Sequence, residues 1–230
     1  MRCSRAGKLQ IERLLAEASN ASFLCTVSDS SLSARCVYKP IRGERPLDDF
    51  PPRTLANRER AAYLLSEAMG WHIVPPTVLR DGPYGRGMAQ LWVEMDPAAD
   101  VLAMVLEPDR RLRRICVFDV LANNADRKGA HLLPMPGGHV HGVDHGVCFA
   151  ESPKLRTVLW GWRGEPLEGD ELDAVRSVCD AVEGDFGADL RELLAPAEVR
   201  AIGRRAETLL RAGRFPLPDP GRPALPWPPF

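Results

Sequence analysis

FDVLANNADRKGAHLLPMPGGHVHGVDHGVCF, Phe118 to Phe149, is the stretch on which the reading of the whole chain turns. Leu112, Ile115, Val117, Phe118, Val120 and Leu121 make an apolar helical run. Asn123-Asn124-Ala125-Asp126-Arg127-Lys128-Gly129 ends it with turn formers and charge. His131-Leu132-Leu133 and Val140 to Val143 read as two short strands, with Pro134 to Gly138 as the turn between them. Asp144-His145-Gly146 follows the second strand directly. A hairpin therefore returns the chain on itself and lets Asp126 and Asp144 face one cleft. Paired carboxylates of this kind suit Mg²⁺ held against substrate phosphates, which needs only one or two protein carboxylates. The same two residues would also serve as plain loop caps and turn formers.

Asp126 and His131 are five residues apart, and Asp126 and Asp144 are eighteen apart. Kinase catalytic loops carry an Asp that receives the acceptor hydroxyl, an Asn five residues on for metal, and a second metal Asp followed two residues later by Gly. On the segments LANNADRKGAHLL and GVDHGVCF the chain resembles the phosphatidylinositol 3-/4-kinase-like superfamily, to which the HipA-type bacterial protein kinases are related. It looks most like a small bacterial family of phosphatidylinositol-kinase-like proteins. The resemblance implies an α+β, two-lobed protein-kinase-like fold and an ATP-dependent phosphotransferase. It implies Asp126 as the catalytic carboxylate, Arg127 as the brace of its loop, and Asp144 as a holder of Mg²⁺, or of Mn²⁺ in its place. His131 stands where the wider superfamily has Asn, and imidazole suits softer ions than Mg²⁺.

The length of 230 residues allows one large or two small domains with a sizeable core. A formal net charge of −1 gives no electrostatic case for a nucleic-acid partner. Lysine occurs only at Lys8, Lys39, Lys128 and Lys154 against a large excess of arginine, a bias that suggests a GC-rich bacterial genome. Six scattered cysteines show no metal-finger spacing and read as small hydrophobes in a reduced, cytoplasmic protein. The sequence has no signal-peptide pattern and no run of about 18 apolar residues to span a membrane.

In residues 1–94, read as the first lobe, Leu9 to Leu15 fits a strand or a short helix. The small-residue run Ala18 to Ser22 precedes a hairpin, Phe23 to Val27 and Ala34 to Lys39. Such a run can lay backbone N–H groups over phosphates, as Ser19, Asn20 and Ser22 would, or be an ordinary turn. Lys39 ends a β-branched strand, so it must find an anion or snorkel to water. VYKP resembles the nucleotide-lysine strand of the superfamily, and the block from Arg58 to Thr77 resembles its helix-and-strand segment. That implies phosphate contact by Lys39, held by Glu59 in the helix Leu55 to Met69, with Glu67 as the second choice. Thr54 and Gly70 are the expected caps of this helix. Ile73-Val74 and Thr77 to Leu79 read as strands, followed by Gly87 to Glu94. Gln90, Leu91, Trp92 and Val93 fall where a kinase hinge would offer backbone to adenine, though they also read as core strand.

Residues 95–214 read as the second lobe: a linker with a short helix, the helix Arg110 to Leu121 capped by Asp109, and amphipathic helices over Glu171 to Val182 and Pro196 to Arg211. FPLPDPGRPALPWPPF, residues 215–230, favours polyproline II and either wraps on the body or meets a protein partner. Two rival functions stay open. His139 and His141 at strand spacing could hold Zn²⁺ in a metal-dependent hydrolase. His131 at a metal position would suit a nucleotide-binding pseudokinase. The sequence does not name the phosphoryl acceptor, which is a protein, lipid or small-molecule hydroxyl.

Overall fold

The computed structural model describes residues 7–15, 20–30 and 32–230. Its first part is a five-stranded antiparallel sheet in the order β1-β2-β3-β5-β4. β1 is Lys8–Leu14, β2 Phe23–Ser28, β3 Ser33–Pro40, β4 Thr77–Gly82 and β5 Gly85–Leu91. The residues from Leu9 onward are thus strand, the choice that the sequence pattern left open. Leu9, Cys25, Val27, Cys36, Tyr38 and Ala89 fill one face of this sheet.

Helix α1, Leu55–Ala68, follows the sheet's third strand. Its Ala61, Ala62 and Leu65 are buried in the main core, and it contacts both β4 and β5. The cap differs from the expected Thr54. The Thr54 hydroxyl donates instead to the Pro51 carbonyl at 2.7 Å. The Glu44 carboxylate accepts the first helical N–H groups, from Leu55 at 3.2 Å and Ala56 at 2.9 Å. A carboxylate satisfies these donors and meets the positive end of the helix dipole together. Gly70 takes the left-handed φ of +69° expected past a helix end.

Ile73 and Val74 do not form a strand. Pro75 and Pro76 lack N–H groups for a ladder. Ile73 uses its carbonyl outside the sheet, accepting from the Gly142 N–H at 2.9 Å.

The second part is helical. α2 is Val101–Leu106, with Asp100 accepting from the Ala103 N–H at 2.9 Å. A 3₁₀ turn, Arg110–Leu112, capped by Asp109, leads into α3, Arg113–Ala122. β6, Leu132–Pro134, and β7, Val140–Gly142, make the predicted hairpin. α4, Gly169–Ala181, α5, Asp185–Arg191, and α6, Pro196–Ala212, complete it; the sequence reading had no counterpart of α5. Pro196 opens α6 and Gly213 closes it at φ +61°. Phe118, Leu121, Val175, Val178, Ile202 and Ala206 are buried in one core with the α1 residues. Arg58 of α1 is buried there too, bonding Glu198 of α6 and the Cys148 carbonyl, each at 2.7 Å. No helix among the described residues is long and apolar enough to cross a membrane.

Candidate active site

The loop after α3 is built by side chains that replace regular structure. Asn123 takes the left-handed conformation at the helix end, φ +50°, a conformation Asn tolerates better than most residues. Its amide donates to the Ala150 and Ser152 carbonyls at 2.8 Å, and its oxygen accepts from the Lys154 N–H at 2.8 Å. Asn124 donates to Asp119 at 2.9 Å and accepts from the Asp126 N–H at 3.0 Å. The chain beyond Asp144 is tied to the same loop, with the Ala125 N–H bonding the Val147 carbonyl at 3.1 Å.

Arg127 and Asp119 are both fully buried and paired at 2.8 Å. Burial works against the guanidinium, but the Asp119 carboxylate outweighs it and the Arg127 pKa is raised. The remaining Arg127 N–H groups reach the carbonyls of His131 at 3.4 Å and Val143 at 3.1 Å, and His145 Nε2 at 2.7 Å. Asp119 was missed at the sequence level, though it had a signal. A carboxylate inside an apolar helical run needs a buried partner, and Arg127 is the nearest cation of the following loop.

Asp144 also has a left-handed φ, +61°. Its Oδ1 lies 2.8 Å from Lys39 Nζ, and the same ammonium lies 2.8 Å from Glu59 Oε1. Burial disfavours the Lys39 ammonium, yet Asp144 and Glu59 together outweigh that and raise its pKa. The Lys39 charge in turn holds the Asp144 carboxyl far below the usual range. Glu67, the second choice for the lysine's partner, instead meets His72 at 2.7 Å.

Asp126 differs from Asp144 in its environment. Burial pushes its pKa up, Lys128 at 3.5 Å opposes that, and the like charge of Asp144 adds to it. His131 has Nε2 3.5 Å from Asp144 Oδ2. Burial lowers its pKa to about 4, so the ring is neutral at pH 7. Its Nδ1 accepts from the Lys128 N–H at 3.4 Å, which puts the remaining proton on Nε2, facing Asp144. Lys39, Glu59, Asp144, His131 and Arg127 are thus joined in one chain of contacts, to which the Asp126 carboxylate is linked through Lys128.

The other sequence candidates stand apart from that chain of contacts. Ser19 lies outside the described residues. Asn20 accepts from the Arg45 N–H at 2.8 Å, and the buried Ser22 donates to the Asn20 carbonyl at 3.2 Å. Gln90 is buried in β5 and donates to Thr77 at 2.9 Å. The backbone N–H of Leu91 bonds the Pro76 carbonyl at 2.9 Å and that of Trp92 the Arg35 carbonyl at 3.0 Å. Val93 follows where the chain has left the sheet. His139 and His141 bond the carbonyls of His72 at 3.1 Å and Ile73 at 3.0 Å. Among the described residues no three His, Cys, Asp or Glu side chains are grouped to hold a metal, neither around His139 and His141 nor around Asp126, His131 and Asp144. A cavity of about 940 Å³ beside α6 is lined by none of the candidate residues.

No family model matches the chain. Phosphatidylinositol 4-kinase gamma 4 of Arabidopsis thaliana is 26% identical over 224 residues, covering 77% of this chain but only 39% of the plant protein. The corresponding phosphatidylinositol 4-kinase gamma 4 of Oryza sativa subsp. japonica is 27% identical over 161 residues, covering 54% of this chain and 28% of its own length. The crystal structure of the proinflammatory kinase CtkA of Helicobacter pylori superposes with a TM-score of 0.56 at 10% identity, covering 91% of this chain and 94% of that one. The fold is therefore the α+β kinase-like fold. Protein Rv2133c of Mycobacterium tuberculosis is 44% identical over 259 residues, covering 97% of this chain and 93% of its own length, and the chain belongs to the same family as that protein.

Proposed function

We propose that the protein is an ATP-dependent phosphotransferase acting on a hydroxyl group. The observation that carries this reading is the Lys39 ammonium held at 2.8 Å by both Glu59 and Asp144. A lysine fixed by a helix glutamate is suited to ATP phosphates. Glu59 prevents the ammonium from swinging away, and burial sharpens its charge. Among the described residues no three metal-capable side chains converge, so the residues present fit magnesium only through Asp144, whose side chain is 46% exposed, and magnesium held against phosphates needs only one or two protein carboxylates. Asp144 would hold that ion, with Asp126 and His131 beside it. When bound, magnesium supplies charge neutralisation between the phosphates and the carboxylates.

Asp126 orients the acceptor hydroxyl and takes its proton. Burial raises its pKa, which makes its carboxylate a stronger base than an exposed aspartate. Arg127 touches no substrate; it fixes the loop that carries Asp126. Backbone near Val93 is suited to adenine, because the chain leaves the sheet there. Residues 1–94 and 95–214 would act as two lobes around this cleft. The names of the plant relatives add phosphatidylinositol to the acceptors worth testing, alongside protein and small-molecule hydroxyls. The test is nucleotide-dependent stabilisation with Mg²⁺ or Mn²⁺, followed by transfer of label from γ-labelled ATP to water, to the protein itself, or to protein and lipid fractions. Absence of stabilisation at millimolar ATP with either metal overturns the reading.

The second reading, a nucleotide-binding regulator without transfer, is favoured by one observation. The His131 proton on Nε2 faces Asp144 at 3.5 Å, so in this tautomer that nitrogen has no lone pair to offer a metal. Tight ATP binding without label transfer would select it.

A further inference from the structure

The proline-rich segment runs back along the second half of the molecule to the catalytic loop. Phe215 is buried, and its N–H bonds the Glu165 carbonyl at 2.9 Å. The Ala224 carbonyl accepts from the Thr157 N–H at 3.1 Å and from Trp160 Nε1 at 2.9 Å. Pro226 is buried in turn. The Pro229 carbonyl then accepts the Gly129 N–H at 2.9 Å. The Phe230 ring covers Gly129 so closely that a Cβ at that position would collide with it. Gly129 does not have a left-handed φ, so a side chain there would have to displace the Phe230 ring, which is 48% exposed, rather than strain the backbone.

Gly129 sits between Asp126 and His131. The front of that loop is fixed by Asn124 and Arg127, and its back by β6. The intervening turn, Gly129–His131, is short, and 3₁₀ bonds are weaker than helical ones. The Pro229 carbonyl satisfies one of its otherwise unpaired N–H donors.

We infer that Pro229 and Phe230 are positioning residues for the catalytic loop: by clamping Gly129 they set Lys128 and His131 against Asp126 and Asp144. The role in catalysis rests on the phosphotransferase reading; the clamp itself does not. Residues that act by holding geometry affect turnover more than ground-state nucleotide binding.

The experiment compares wild type, Phe230→Ala, Gly129→Ala, the double variant and the control Leu225→Ser, at a residue that is 53% exposed. Two readouts are taken: amide hydrogen exchange of residues 128–131, and steady-state ATP turnover with magnesium. Phe230→Ala is expected to lose protection at Gly129 and to lower kcat roughly tenfold or more, with KM for ATP changed by less than about twofold. Gly129→Ala is expected to be damaging in wild type and nearly silent in the Phe230→Ala background, because the ring it strikes is gone. Leu225→Ser should match wild type in both readouts. Unchanged exchange in Phe230→Ala overturns the clamp. Lost protection with unchanged kcat overturns its positioning role. Wild type that turns over no ATP overturns the phosphotransferase reading and the catalytic part with it, and is told apart because the exchange readout still answers for the clamp.

Discussion

The Glu59 carboxylate accepts the backbone N–H of His145 at 2.9 Å while its other oxygen holds Lys39 at 2.8 Å. Helix α1 is therefore bonded at one residue both to the sheet and to the segment that carries Asp144. The His145 ring continues the chain of contacts, since its Nε2 lies 2.7 Å from Arg127. Burial holds the His145 pKa well below its usual value, so the ring stays neutral and can accept from the guanidinium.

Glu59→Ala should destabilise the protein by about 2–4 kcal/mol, because it strands a mostly buried ammonium and a buried N–H together. Asp144 still neutralises part of the Lys39 charge, which keeps the loss below that of a fully orphaned cation. Glu59→Gln retains an acceptor for His145 and should cost less. Urea midpoints for the two variants check the order. Equal losses would mean that the charge contributes nothing.

Arg127 and Asp119 make the stronger structural case. Both are fully buried, so removing either leaves an uncompensated charge in the core. Arg127→Met and Asp119→Asn should each cost on the order of 3–5 kcal/mol. The double variant Arg127→Met, Asp119→Asn should cost less than the sum of the singles, because neither charge is then left alone. Thermal or urea unfolding of the three variants measures this directly.

Stability should depend on pH through His131. Its pKa is lowered to about 4 in the folded state from 6.5, so the unfolded chain binds the extra proton first as pH falls. The neutral ring therefore contributes stability above pH 6.5, which is lost progressively down to pH 4, amounting to about 3 kcal/mol at most. His131→Asn should flatten the melting temperature in that window. His145 shifts in the same direction and would leave a residual slope. An unchanged slope in His131→Asn would assign the whole effect to other groups.

The candidate site was more legible than its supports. Lys39, Glu59, Asp126 and Asp144 each pair a charged residue with the end of an apolar element, a pattern visible from types and spacing. Asp119 carries a signal as a carboxylate in an apolar run, but the partners of Asp119 and His145 are not legible, because groups brought together by tertiary packing leave no local periodicity. The sheet was legible for the same local reason: β2 and β3 form a hairpin, with burial alternating along the end of β3. Glu44 in place of Thr54 shows the limit. A cap supplied from eleven residues upstream has no signature next to the helix. The proline-rich segment read as wrapping on the body or meeting a protein partner, and only the contacts at Thr157, Trp160 and Gly129 decide for wrapping.

The two carboxylates should separate in function because their environments pull them apart. Lys39 keeps Asp144 ionised, whereas burial raises Asp126. Asp144→Asn removes the charge that metal-bound nucleotide needs and the main partner of Lys39 besides Glu59. It should weaken metal-dependent ATP binding, read as a smaller thermal shift at fixed ATP and Mg²⁺. Asp126→Asn keeps its size and its backbone bond to Asn124, so binding should change little. Turnover should fall by roughly 10²-fold or more, since a base acts mainly in the transition state. The acid limb of the rate profile should lie above the usual aspartate range in wild type, because burial raises the Asp126 pKa. His131→Asn then reports on the metal. If the imidazole only donates to Asp144, the variant keeps or gains activity with Mg²⁺; if it ligates, activity falls more with Mn²⁺ than with Mg²⁺. An Asp126→Asn variant that loses binding and turnover equally would place Asp126 with the metal and leave the base unassigned.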